Sequence, residues 1–166
     1  LDEREKRMVT ELNFDAPQLE ADLKQAVAGD VRFDQMYRML YSTDASNYQI
    51  EPIGVVLPRH ADDIHAIHTI ASQHGVPLLP RGGGSSLAGQ TVGYAVVMDT
   101  TRYMNSVLSI DPEARTVRAQ PGIALSHLNA AVSPHGLMFG PDPASGDRAT
   151  VGGSLGNNST GTHSIL

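Results

Sequence analysis

A glycine-rich stretch, PRGGGSSLAGQT at residues 80–91, carries the clearest chemical signal in the sequence. Residues without a Cβ atom let successive backbone N–H groups point into one concavity, and such a nest holds phosphate oxygens. Strand-like runs on both sides argue against a flexible linker, and a simple turn needs fewer glycines. The stretch therefore favours an anion-binding loop. Its candidate residues are Arg81, Gly82, Gly83, Gly84, Ser85 and Ser86.

Two well-known phosphate-binding motifs fit this stretch poorly. The dinucleotide fingerprint G-x-G-x-x-G would begin at Gly82, but its sixth position is Leu87. The Walker pattern would run from Gly84 to Gly89, yet Gln90 stands where that pattern requires lysine. Neutral glutamine brings no positive charge to the β and γ phosphates, and the following residues predict a strand rather than a helix. The sequence therefore disfavours a nucleoside triphosphatase.

A second glycine-rich segment, GPDPASGDRATVGGSLGNNSTGTHS, covers residues 140–164. Its prolines restrict the backbone, and its glycines permit close approach to a flat or phosphate-bearing ligand. A Pro121–Gly122 turn lies between the two glycine-rich segments. Two separated glycine segments and a turn suit an extended dinucleotide held along its length better than a nucleoside monophosphate.

Other candidate groups carry weaker signals. Asp62, His65 and His68 lie three residues apart on a predicted helix, but the same spacing is common on a solvated helix face, so we predict no metal site. His163 lies near the end of the second glycine segment, and we assign it no direct role. No Ser-His-Asp arrangement or carboxylate pair is recognisable from spacing. The catalytic residues therefore stay unassigned.

Composition narrows the class of function. The chain has 166 residues, 40% of them hydrophobic, which is enough for one domain with a core. Its formal charge of −6 and its lack of a dense basic cluster argue against a nucleic-acid partner. The absence of cysteine excludes disulfides, thiolate metal sites and cysteinyl flavin links within these residues. No apolar run approaches the roughly 18 residues of a membrane span, and we expect a cytoplasmic protein, with peripheral membrane attachment left open.

The first 40 residues predict a charged, helical lead-in. Two segments there have helix-like spacing, and the second places Leu19, Leu23 and Val27 on one face with Gly29 as its stop. No group with obvious chemistry stands out in this region. We therefore expect residues 1–40 to be a lead-in to the domain that begins at residue 41.

Beyond residue 41 the pattern predicts an α+β fold. Residues 53–79 predict a β-α-β unit with a parallel pair of strands, and the first glycine loop leaves the second strand. A strand at 94–100, a hairpin around Asp111–Pro112 and a helix ending at Gly136 follow. We expect a small β-α-β subdomain, then a second α+β subdomain with more antiparallel strands, and the ligand between them.

Four blocks in this order resemble the PCMH-type FAD-binding domain of the vanillyl-alcohol oxidase/p-cresol methylhydroxylase superfamily. They are YSTDASNYQIEPIGVVLPRHADDI, PLLPRGGGSSLAGQ, VRAQPGI, and GPDPAS followed by ATVGGSLGNNSTGTHS. Within that superfamily they are most similar to D-lactate/glycolate and D-2-hydroxyacid dehydrogenases. The resemblance covers residues 41–166 and implies a partial FAD-binding domain, incomplete at its C-terminus.

The resemblance implies that each block holds part of FAD. The first loop would bind the pyrophosphate, the Pro121–Gly122 turn would shape the groove wall, and the later blocks would line the flavin side. Covalently flavinylated relatives carry a histidine in the first loop where Gly84 stands here, which implies noncovalent FAD. The implied cofactor-binding residues are Arg81, Gly82, Gly83, Gly84, Ser85, Ser86, Gln90, Pro121, Gly122, Pro141, Asp142, Ser145, Thr150, Gly152, Gly153, Gly156, Asn157 and Gly161.

The implied activity is oxidation of a small 2-hydroxyacid, of the D-lactate or glycolate type, by hydride transfer to flavin N5. The electron acceptor is not identified. Substrate-binding residues in this family belong largely to a C-terminal region that the chain lacks, so we expect the chain alone to show no turnover and to bind FAD weakly or not at all. Two alternatives stay open: another flavoenzyme of the superfamily, such as an alditol oxidase or alkyl-ether-lipid synthase, and a nonenzymatic nucleotide- or anion-binding module.

Overall fold

The computed structural model describes residues 12–161, 163 and 164. They form a four-stranded sheet, a separate two-stranded sheet and five α-helices that pack around them. A 3₁₀ turn at Ser133–His135 follows the fourth helix. In chain order the elements are α1 (Ala16–Ala26), β1 (Asp30–Arg32), α2 (Gln35–Leu40), β2 (Gly54–Leu57), α3 (Ala61–Gln73), β3 (Leu78–Arg81), β4 (Val96–Asp99), β5 (Val107–Asp111), β6 (Thr116–Ala119), α4 (Leu125–Val132) and α5 (Val151–Gly156).

The four-stranded sheet has the order β1-β2-β4-β3, with β2, β4 and β3 parallel. The β-α-β unit forms as predicted, but its strands are not neighbours, because β4 lies between β2 and β3 and pairs with both. Both central strands are buried along their whole length, whereas β3 carries Pro80, which cannot donate to a ladder and suits an edge. Sequence periodicity identifies strands but not which strands are adjacent.

The N-terminal region contributes to the core. Leu19 and Leu23 of α1 are fully buried in a cluster with Ile67 of α3, as their helical spacing predicts. The expectation of a wholly helical lead-in is wrong, because Asp30–Arg32 form strand β1, antiparallel to β2. Three residues are too few to show the alternation that marks a strand. The first of the two segments with helix-like spacing, residues 1–12, lies almost entirely outside the described residues.

The second half of the chain contains a hairpin and two helices. The β5–β6 hairpin forms around the predicted turn, and α4 buries Leu125, Leu128 and Val132. Gly136 closes this segment with a φ of +68°, a left-handed conformation that glycine adopts without strain. The α+β class is thus confirmed. In the described part of the chain, no helix combines the length and apolarity needed to cross a bilayer.

Candidate functional site

The first glycine loop (residues 82–86) leaves the carboxyl end of β3, where Arg81 fixes its shape. The Arg81 guanidinium donates to the carbonyl oxygens of Thr43 at 2.8 Å, Thr91 at 3.0 Å and Tyr41 at 3.4 Å. It also lies 5.2 Å from the centroid of the Tyr41 ring. Arg81 therefore joins three chain segments beneath the loop while keeping a positive charge close to it.

The segment at residues 41–46 holds the first glycine loop from the other side. Ala45 donates its N–H to the carbonyl of Gly84 at 3.0 Å, and the Thr91 hydroxyl donates to Asp44 at 2.8 Å. Partial burial opposes ionisation of Asp44, but hydrogen bonds from Ser46 and Thr91 outweigh it and lower the pKa of this carboxyl group. An ionised Asp44 is therefore a fixed acceptor that anchors the loop.

The backbone donors of the first glycine loop are free. Among the described residues, no acceptor is within hydrogen-bonding geometry of the N–H groups of Gly82, Gly83, Gly84 or Ser85. Gly84 has a φ of +64°, which reverses the backbone where a residue with a Cβ atom would be strained. Ser86 and Gln90, by contrast, contact each other through their side chains, so they are engaged within the loop. Four neighbouring N–H donors therefore remain for a ligand.

The second glycine segment forms helix α5, which the sequence did not predict because glycine disfavours helices. Thr150 is its N-cap, and its Oγ1 accepts from the N–H of Gly153 at 3.2 Å. Val151 donates to the carbonyl of Ile123 at 3.0 Å, and Gly152 donates to that of Pro121 at 2.8 Å. The first donors of this helix are therefore all used inside the protein.

The two glycine regions touch each other. A Cβ atom on Gly82 would overlap the Thr150 side chain, and one on Gly83 would overlap the carbonyl of Arg148. Between the regions lies a cleft of about 330 Å³. One wall is the first glycine loop with Leu87, Ala88, Gln90 and Thr91, and the other is formed by Pro143, Ser145, Ala149, Thr150, Gly153, Ser154, Asn157 and Ser159.

Two further clefts adjoin this one and share Gly82 and Thr150 with it. One measures about 380 Å³ and the other about 600 Å³. All but three of the predicted cofactor residues line one of these three clefts. The residues brought together are Arg81, Gly82, Gly83, Gly84, Ser85, Ser86, Gln90, Pro121, Gly122, Ser145, Thr150, Gly152, Gly153, Gly156 and Asn157.

Pro141, Asp142 and Gly161 do not line these clefts. Pro141 lines a separate cleft beside α4. Asp142 Oδ2 lies 2.7 Å from Nδ1 of His163, and the Gly161 backbone packs directly against that of Asp142. The contacts of Asp142 join the start of the second glycine segment to its end. The role of these three residues in cofactor binding stays a prediction.

Sequence reasoning missed two features of the site. The Tyr41 hydroxyl donates to the buried carboxylate of Asp99 at 2.6 Å, and burial together with Asp99 raises the pKa of Tyr41. Ser154 is only 6% exposed, and its hydroxyl has no hydrogen-bond partner in the described part of the chain. Neither Tyr41 nor Ser154 belongs to a sequence motif that indicates a role in the site. The raised pKa of Tyr41 and the unpaired hydroxyl of Ser154 both depend on packing.

The two histidines of α3, His65 and His68, are exposed and line none of the three clefts. Within the described residues, no three potential metal ligands come close enough together to hold an ion. The neighbouring Asp63 is buried and accepts from the N–H groups of Arg59 at 2.8 Å and Ala28 at 2.9 Å. Its carboxylate therefore joins α3 to the turn after α1.

Comparison with known proteins places an FAD-binding domain over the part of the chain that contains most residues of these clefts. Residues 52–166 match the family model described as "FAD binding domain". A D-2-hydroxyglutarate dehydrogenase from Pseudomonas putida is 37% identical over 163 residues, which are 93% of this chain and 16% of that protein. Glycolate oxidase subunit GlcD from Bacillus subtilis is 39% identical over 145 residues, 84% of this chain and 30% of that protein. The chain thus spans less than a third of each of these relatives.

A solved structure shares the fold. An alkyldihydroxyacetonephosphate synthase superimposes with a TM-score of 0.79 at 24% identity, covering 94% of this chain and 33% of that one. At this identity the likeness concerns the fold alone. Together with the match to the FAD binding domain model, it confirms the FAD-binding fold that the four sequence blocks predicted.

Proposed function

The chain belongs to the FAD binding domain family, and we propose that it holds FAD in the cleft between the first glycine loop and α5 of an enzyme that oxidises a 2-hydroxyacid. Its relatives are dehydrogenases and an oxidase subunit, so the family is enzymatic. The substrates in their names, D-2-hydroxyglutarate and glycolate, are both 2-hydroxyacids, and this class is the one we propose here.

The observation that carries the proposal is the set of free N–H groups on Gly82, Gly83, Gly84 and Ser85. The formal charge of the chain is −6, so its net charge would not attract a phosphate group. The free N–H groups of the loop would attract one, because neighbouring N–H groups provide fixed partial positive charges. The Arg81 guanidinium directly beneath the loop adds a full charge. The loop therefore fits the diphosphate of a dinucleotide.

We propose that FAD is bound noncovalently. Gly84 stands where flavinylated relatives have histidine, and the chain contains no cysteine. After denaturation and precipitation of the holoprotein, we expect a colourless pellet and a yellow supernatant. A pellet that stays yellow would contradict noncovalent binding.

The chemistry that FAD supplies when bound is acceptance of a hydride at N5 from the carbon that bears the substrate hydroxyl. The residues of this chain position the cofactor rather than the substrate. Arg81 fixes the loop and the loop binds the diphosphate, while Thr150 and Gly82 hold the two walls in contact. Substrate specificity and proton removal would then rest with residues outside those described.

The test is a titration of the natural full-length protein, freed of flavin, with FAD, ADP and FMN, followed by flavin fluorescence and thermal shift. We expect FAD to bind most tightly and ADP to retain part of the affinity through its diphosphate. The holoprotein should then reduce an artificial electron acceptor with glycolate, D-lactate or D-2-hydroxyglutarate, and not with L-lactate. Equal binding of ADP and FAD without any 2-hydroxyacid-dependent dye reduction would instead identify a nucleotide-binding module.

A further inference from the structure

Helix α5 carries a buried hydroxyl group that the protein itself does not satisfy. Ser154 is 6% exposed, and no acceptor or donor for its Oγ is found in the described part of the chain. Its backbone N–H donates to the carbonyl of Thr150 at 2.9 Å, the ordinary helical bond. The side chain makes no equivalent bond, so the helix does not account for the hydroxyl.

An unpaired buried hydroxyl is unfavourable. Nearly all buried polar side-chain atoms in folded proteins have a hydrogen-bond partner, because leaving water without a new partner costs free energy. Alanine would also be the better helix former at this position. In the ligand-free protein, Ser154 is therefore a residue whose hydroxyl group does not stabilise the fold.

The position of Ser154 indicates what satisfies it. It lines the same cleft of about 330 Å³ as Gly82, Gly83, Gly84 and Ser85, whose N–H groups are also free. One wall of the cleft thus includes residues with unpaired backbone donors, and the other includes a residue with an unpaired hydroxyl. Donors on both walls suit a ligand rich in acceptor oxygens.

We propose that Ser154 Oγ donates a hydrogen bond to an acceptor oxygen of the dinucleotide bound in this cleft, and that the bond forms only on binding. The inference rests on the proposed FAD site. Phosphate oxygens and the carbonyl oxygens of the flavin ring have the same acceptor chemistry, and fragments of the cofactor separate the two. Ser154 is then a binding residue that the sequence motif does not reveal.

The experiment compares Ser154→Ala with Ser72→Ala, an exposed serine on α3, in the natural full-length protein. The two readouts are the melting temperature of the flavin-free protein and the dissociation constants for FAD, ADP and FMN. For Ser154→Ala we expect a melting temperature equal to or above that of the wild type. We also expect FAD binding to weaken by about tenfold, the effect of losing one hydrogen bond to a bound group. Ser72→Ala should change neither quantity.

The fragments identify the acceptor. Weaker ADP binding by Ser154→Ala assigns the bond to a phosphate oxygen, and weaker FMN binding with unchanged ADP binding assigns it to the flavin part. Equal FAD affinity of Ser154→Ala and a wild type that does bind FAD would overturn this inference alone. A lower melting temperature of flavin-free Ser154→Ala would also overturn it, because the hydroxyl would then be bonded within the protein. Failure of the wild type to bind FAD would overturn the proposed function and this inference with it.

Discussion

The two glycine regions of this chain contain the same residue type and use it in opposite ways. In the first loop, four consecutive N–H groups from Gly82 to Ser85 have no acceptor in the described residues. At the start of α5, the N–H groups of Val151, Gly152 and Gly153 are all bonded, to Ile123, Pro121 and Thr150. The backbone donors are thus free in the first region and bonded in the second, while glycine permits close packing in both.

The difference supports the proposal that the first region binds the anion and that the second region supports it. A diphosphate needs free donors, and α5 has none to offer at its N-terminus. What the second region contributes is a close wall, since Gly82 and Gly83 lie directly against Thr150 and the carbonyl of Arg148. Substitutions in the second region should therefore affect mainly stability, whereas those in the first should affect ligand binding or, at Gly82 and Gly83, the contact between the regions.

The largest effect is expected for Gly83→Ala, at the point where the two regions meet. Its Cβ would overlap the Arg148 carbonyl, which is backbone and cannot rotate away. We expect the free energy of unfolding to fall by about 2 to 3 kcal/mol, or roughly 4 to 12 °C in melting temperature for a chain of this size. Gly140→Ala is the control, because a Cβ atom on Gly140 would have no neighbouring atom within 4 Å. Equal melting temperatures for the two variants would refute the contact.

Arg81→Lys separates charge from geometry in the first region. Lysine keeps the positive charge but cannot donate to the carbonyls of Tyr41, Thr43 and Thr91 together. We expect FAD affinity to fall about 30-fold, or roughly 2 kcal/mol, with circular dichroism unchanged. Arg118→Lys, on the exposed face of β6, should bind FAD like the wild type. Wild-type affinity in Arg81→Lys would mean that charge alone matters.

Gly152→Ala and Gly156→Ala test the packing role of α5 within one helix. A Cβ on Gly152 would lie 2.8 Å from the Pro121 Cβ, whereas one on Gly156 would have nothing within 4 Å. We expect Gly152→Ala to destabilise the protein by about 1 to 2 kcal/mol and Gly156→Ala to stabilise it by about 0.5 to 1 kcal/mol. Chemical denaturation measures both. Shifts of the same sign would show that contact with Pro121 does not govern the helix.

The smallest effect is expected at the N-cap of α5. Thr150→Val removes the oxygen that accepts from Gly153, and such a loss costs about 1 kcal/mol. Thr150→Ser keeps the oxygen and should retain most of the stability. Equal unfolding midpoints for the valine and serine variants would mean that the cap does not stabilise the helix.

The sequence predicted elements better than it predicted their arrangement. Apolar spacing correctly identified α1, α3 and α4, because burial of one helix face leaves a periodic pattern. It placed β2 and β3 side by side, since nothing in two short apolar runs specifies that β4 lies between them. Strand β1 was too short to detect, and α5 was hidden by its glycines.

The same limit applies to the site. Fifteen of the eighteen cofactor-binding residues that the blocks imply line the three clefts. Sequence alone could not separate Gly83, whose N–H is free, from Gly152, whose N–H is bonded. The bonds of Arg81 to three carbonyls and the unpaired hydroxyl of Ser154 likewise depend on residues far apart in the chain. These contacts form between residues that are distant in the sequence, so the local residue types do not reveal them.

Amide hydrogen exchange, followed at residue resolution by mass spectrometry on the natural full-length protein with and without saturating FAD, tests the contrast between the two regions most directly. Without ligand, the amides of Gly82, Gly83 and Gly84 should exchange rapidly, and those of Gly152 and Gly153 should be protected by their internal bonds. On addition of FAD, the loop amides should become protected while those of α5 stay unchanged. Loop amides that remain unprotected in the FAD-bound state would contradict the assignment of the first glycine loop as the diphosphate site.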